Sequence, residues 1–129
     1  MIIDAVTLTI PNERRFFAVP RLLVGGLAVR QNLPYEQLDD LQLAVESVLA
    51  RRGALAPEVT IRLAARAGAV VLELGPVMGE LLGAEAPDPA RGLSLDRLLA
   101  TLVDEVGVVE ADGSRWLRLA KAVSAGSQG

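Results

Sequence analysis

Polar and apolar residues alternate from the start of the chain. Ile3, Ala5 and Thr7 alternate with Asp4, Val6 and Leu8, a period of two that Pro11 stops, and this predicts a first strand. Phe16 to Arg30 reads as a helix with Pro20 near its first turn, where a missing N–H does least harm. Leu23, Gly26, Leu27 and Arg30 share one face, Gly25-Gly26 is expected at a close helix contact, and Asn32 is the expected stop. A second helix is predicted from Tyr35 to about Arg52, its stripe formed by Leu38, Leu41, Val45, Val48 and Leu49, with Gly53 closing it. Val59–Arg66 and Ala69–Leu74 read as strands joined by a tight turn at Ala67-Gly68. From Gly75 to Ala90 the periodicity fails among Gly75, Pro76, Gly79, Gly83, Pro87 and Pro89, so a loop is expected, with room for a helical turn at Glu80–Leu82. Leu95, Leu98, Leu99, Leu102 and Val103 mark a third helix. A hairpin follows, Glu105–Glu110 and Ser114–Val123 about Asp112-Gly113.

This order predicts an α+β fold. A mixed, mostly antiparallel sheet is covered on one face by about three helices, and residues 1–123 form a single domain with a frayed tail at 124–129. A 51% apolar content supplies a core, but aromatics at 3% mean it must be built from Leu, Val, Ile and Ala.

Charge and composition then narrow the chemistry. Thirteen basic against sixteen acidic residues leave no positive excess to release counterions from a phosphate backbone, so nucleic acid is not an expected partner. The absence of Cys excludes disulfides and thiolate chemistry, and the absence of His removes the commonest general base. Carboxylates, hydroxyls, Lys121 and backbone amides remain. No apolar run reaches the roughly 18–20 residues that cross a bilayer, and the N-terminal stretch has no signal-peptide character, so a cytoplasmic protein without membrane contact is expected.

Two segments carry a family resemblance. PRLLVGGLAVRQNLPYEQLDDLQLAVESV, Pro20 to Val48, resembles the opening helices of the bacterial anti-sigma-factor serine kinases, and ARGLSLDRLLATLVDEVGVV, Ala90 to Val109, resembles their Gly-rich turn, helix and strand after the ATP lid. These kinases are members of the Bergerat-fold (histidine-kinase-like) ATPases. The resemblance implies a Bergerat-type two-layer α/β sandwich with nucleotide bound between the helices and the 75–90 loop.

The resemblance also implies three nucleotide motifs, two of which are broken here. The family places a Glu, which activates water or the acceptor hydroxyl, four residues before an Asn that holds magnesium. Glu46 matches the first position, but Ala50 stands at the second and offers no oxygen. The Asp that pairs with adenine before a Gly-x-Gly turn is missing from Glu73-Leu74-Gly75-Pro76-Val77-Met78-Gly79, which keeps Gly75 and Gly79 and has Glu73 as its nearest carboxylate. In the third motif Arg91 and Gly92 fit a phosphate-binding turn, with Ala90 where a companion glycine is usual. The loop is accordingly expected to be collapsed, with Val77, Met78, Leu81 and Leu82 filling the old pocket. Trp116 is either a binding anchor or core, and Asp39-Asp40 reads as helix-surface charge.

The expected function is a regulatory protein-binding module resembling anti-sigma factors and lacking kinase activity. By resemblance its partners are a sigma factor or an antagonist protein, with a homodimer as a further expectation. No metal ligand set and no cofactor are expected. One alternative is an active ATP-dependent serine kinase using ATP and magnesium with Glu46 as catalytic base; the other is a structural or dimerisation module sharing only the fold.

Overall fold

The computed structural model describes residues 2–82 and 94–123, with side chains from residue 4 onward. Five strands form one sheet: β1 (Ile2–Pro11), β2 (Leu55–Arg66), β3 (Ala69–Val77), β4 (Glu105–Ala111) and β5 (Ser114–Ala122). Their order is β1-β2-β3-β5-β4, and every ladder is antiparallel. Among the described residues the expected mixed sheet is therefore antiparallel throughout, because successive strands are joined by tight turns or return beside a neighbour. Helices α1 (Ala18–Arg30), α2 (Tyr35–Leu49) and α3 (Leu95–Ala100) cover one face. This is the two-layer α+β sandwich the pattern implied.

Alternation along the strands makes the core. Ile61, Leu63, Leu72, Leu74, Leu117 and Leu119 all point toward the helices and are fully buried. Against them α2 sets Leu41, Ala44, Val45, Val48 and Leu49, spaced by three and four residues so that one stripe faces the sheet. Burying each such Leu or Val contributes roughly 1.5–3 kcal/mol. Pro20 lies in the first turn of α1 and is buried, as expected. At the other end Asn32 adopts a left-handed φ of 53°, its N–H donating to Val29 while the N–H of Leu33 donates to Ala28. Those two bonds satisfy the last carbonyls of α1. The hairpin turns sit where glycine predicts, at Gly68 (φ 80°) and at Asp112-Gly113 (φ 55° and 77°).

Several boundaries differ from the pattern, and α1 starts at Ala18 rather than Phe16, after a 3-10 turn at Arg14–Phe16. β3 runs on through Gly75, Pro76 and Val77, so the expected loop begins later, at Met78. β2 begins at Leu55 and pairs there with Val77, a register shift before Thr60 absorbing Pro57. Helix α2 stops at Leu49, and a short 3-10 turn at Arg52–Ala54 leads into β2. Helix α3 ends at Ala100, because the N–H of Asp104 is drawn to the carbonyl of Ala120 and the chain must unwind to reach β5. Leu102 and Val103 are still buried, from a turn rather than a helix.

The segment after β3 folds inward as far as it is described. Val77 and Leu81 are buried, and Leu82 packs on the core, but Met78 is 65% exposed and Glu80–Leu82 is not helical. Residues 83–93 and 124–129 lie outside the described residues, and with them the rest of the expected loop and the tail. Among the described residues no helix is long and apolar enough to cross a membrane.

Candidate functional site

Helix α2 places Glu46 and Ala50 one turn apart on the same side, and both line a hollow of 220 Å³ between α2 and α3. Leu43, Ser47, Arg51, Leu95 and Leu98 complete its wall. The matched first position of the Glu-Asn motif and its methyl replacement thus share one cleft. What surrounds them decides what the cleft can do.

One oxygen of the Glu46 carboxylate is engaged. Arg21 of α1 donates to its Oε2 in a close ion pair. The backbone of α1 is itself held there, since Gln42 of α2 donates to the Arg21 carbonyl at 3.0 Å. Gly25 faces this contact, for a Cβ on it would lie 3.6 Å from Gln42 Nε2. Gly26 meets nothing within 4 Å, so of the glycine pair only the first faces the neighbouring helix. Arg21 therefore ties the two helices together through the residue that would have to serve as base. Sequence reasoning missed it. The usable signal was a basic residue near the start of one helix and an acid near the end of the next, on helices whose apolar stripes adjoin.

Magnesium takes oxygen ligands in near-octahedral geometry, usually one or two from the protein with water and phosphate oxygens completing the set, and this hollow lacks the side-chain oxygen that the family's motif would place at position 50. The hollow supplies one engaged carboxylate, a Ser47 hydroxyl whose proton goes to the Leu43 carbonyl at 2.7 Å, and the methyl of Ala50. Among the described residues no group of three acidic side chains comes together as a metal site.

The remaining candidates fall elsewhere. Glu73 points to the sheet face away from the helices, where it lies 3.8 Å from Arg62. Gly75 sits on that same outer face beneath Trp116: a Cβ there would lie 2.8 Å from the indole and 3.0 Å from the Arg115 carbonyl oxygen. Its glycine is explained by the indole. Gly79 packs against Gly53 and Ala54, just past α2, its N–H donating to the Ala54 carbonyl and its own carbonyl accepting from Arg115 at 3.3 Å. Arg91 and Gly92 lie outside the described residues. Lys121 faces the helix layer, donating to the Leu102 carbonyl at 2.8 Å and pairing with Asp40 at 3.3 Å. Asp40 is thus more than surface charge: it receives the lysine from β5.

Trp116 resolves onto the outer face. It is 6% exposed and lies outside the main core cluster, with the Arg62 guanidinium stacked 4.1 Å from its ring centre.

No family model matches the chain, and no curated protein matches it. Among solved structures it is similar to the crystal structure of the RsbU and RsbW domains of Rv1364c from Mycobacterium tuberculosis, with a TM-score of 0.61 and 14% identity. The likeness covers 93% of this chain and 32% of that one, so the chain spans about a third of its neighbour's length. At that identity the likeness speaks for the fold, and it agrees with the sandwich described above.

Proposed function

We propose that this chain is a regulatory protein-binding module of the anti-sigma type that does not transfer phosphate. One observation carries the reading: Glu46, the residue matching the family's base, is bound by Arg21 and faces a methyl at position 50 instead of a metal ligand. A base must have a free lone pair within reach of the proton it takes. Here Arg21 engages one of the two carboxylate oxygens, Oε2, and holds the side chain across α1 and α2, so the pair acts as a structural tie. The fold likeness to a structure that includes an RsbW domain supports the scaffold, and the resemblance to anti-sigma kinases supplies the partner class, a sigma factor or its antagonist.

Calorimetric titration separates the possibilities. Magnesium-ATP injected into the whole chain gives no saturable heat on this reading. Purified sigma factors and antagonist proteins of the same organism, titrated singly, include one that binds. Saturable binding of the nucleotide, together with labelled-phosphate transfer to an antagonist that is lost in Glu46→Ala, would overturn the proposal. Failure of every sigma factor and antagonist to bind would overturn the partner assignment.

A further inference from the structure

The helices cover only one face of the sheet, and the other face has an uneven charge distribution. Register places Arg62 and Arg66 of β2, Glu73 of β3 and Arg118 of β5 together on it. Three arginines line one hollow of 260 Å³, with Glu73 as its single acid. Glu73 lies 3.8 Å from Arg62 and stands opposite Arg118 in the ladder, but among the described residues neither of the exposed Arg66 and Arg118 forms an ion pair. In a chain whose formal charge is −3, this is a local reversal of sign.

The floor between the arginines is shallow and small, formed by Ala5, Ala64 and Val71. A backbone can approach it closely. Arg62 and Arg66 are four residues apart on one strand, roughly 13 Å, which is also the separation of carboxylates four apart on an extended peptide. Guanidinium forks bind carboxylates in a planar, two-pronged fashion that lysine does not reproduce, and the only lysine of the chain faces the helix layer. Beside them the indole N–H of Trp116 is buried without an acceptor among the described residues, a further donor on this side of the sheet.

We propose that the sheet face opposite the described helices is a docking surface for an extended acidic segment of a partner protein, gripped by Arg62, Arg66 and Arg118. The occupant is a carboxylate-bearing peptide rather than nucleic acid. Glu73 and Glu105 stand on the same face and would repel a continuous phosphate backbone, whereas discrete carboxylates can be placed between them. This surface lies across the sheet from the α2–α3 hollow and stands independently of the function proposed for that hollow.

The test uses decaglutamate as the probe on the whole chain at low salt. The single tryptophan is buried beneath Arg62 on this face, so a peptide that moves Arg62 changes Trp116 emission, and amide chemical shifts map the contact. Expected is a saturable emission change with shifts on the outer-face residues of β2, β3 and β5. Affinity should fall about tenfold in the Arg66→Ala/Arg118→Ala variant, as two lost partly exposed ion pairs would give. Arg21→Ala, on the opposite layer, should bind as the parent does. No saturable change would overturn the proposal, as would equal affinity in the double variant with its thermal unfolding unaltered. Tighter binding of an oligodeoxythymidine of equal charge would overturn the assignment to an acidic protein.

Discussion

Gly75 lies so close beneath Trp116 that a single added methyl would come within 2.8 Å of the indole. The neighbours on either side leave little give, since the Arg115 carbonyl is 3.0 Å from the same point and Arg62 closes the ring from above at 4.1 Å. Gly75→Ala is therefore expected to destabilise the fold by about 1–3 kcal/mol through overpacking. Urea unfolding followed by tryptophan emission measures it. A variant as stable as the parent, with unchanged emission, would show that the indole has room to move.

The Arg21–Glu46 tie makes a prediction about gain of binding. Both side chains are partly exposed, so Arg21→Ala should cost no more than about 1 kcal/mol. Ala50→Asn alone restores an oxygen but leaves Glu46 bound to Arg21, and should not confer magnesium-nucleotide binding. The combination Arg21→Ala/Ala50→Asn should give a measurable calorimetric signal that neither single change gives. Binding in Ala50→Asn alone would mean the ion pair is no obstacle.

Asp4 offers a pH test. Hydrogen bonds from Arg30 at 3.0 Å, joined by Gln31 at 2.5 Å and the nearby guanidinium charge, hold its carboxyl below the ordinary value against a smaller opposing effect of desolvation. A carboxyl depressed in the folded state stabilises the fold above its unfolded pKa, and the benefit disappears as pH falls through the folded value. Asp4→Asn should thus lower the urea midpoint at neutral pH. The gap to the parent should begin closing near pH 4 and be gone once the folded carboxyl is protonated. A gap that stays constant with pH would remove the ionic part of this explanation.

Lys121 joins three elements through one ammonium group, from β5 to the Leu102 carbonyl after α3 and to Asp40 on α2. Its side chain is only 13% exposed. Lys121→Met keeps the aliphatic stem but strands the carbonyl, and should cost about 1–2 kcal/mol. Asp40→Asn should cost less, because the carbonyl bond survives. Chemical denaturation of the two variants gives the order, and the reverse order would assign the stability to the ion pair.

The fold was largely legible because period-two and period-3.6 patterns fix which face a residue turns inward. Leu117 and Leu119, or Leu41, Val45 and Val48, needed no tertiary information. Boundaries were legible only where glycine or asparagine demanded a left-handed turn, as at Asn32, Gly68 and Asp112-Gly113. The end of β3 was hidden because Gly75 and Pro76 read as loop residues, while the true reason for the glycine was an indole some forty residues away in sequence. The site was half legible. That Ala50 lacks an oxygen is visible in the string of letters. That Arg21 reaches Glu46 depends on how two helices lie beside each other, which local pattern does not specify.

The strand order has a consequence for biogenesis. β5 stands between β3 and β4, and among the described residues β4 has no other neighbour in the sheet. A nascent chain can assemble the β1-β2-β3 meander with α1 and α2 while still being translated, but β4 emerges unpaired. It must wait for Ser114–Ala122 to leave the exit tunnel and insert between two strands made earlier. Closure of the sheet therefore depends on the last strand in the sequence: without Ser114–Ala122, the edge of β3 would be left unpaired and β4 would lose the strand it pairs with.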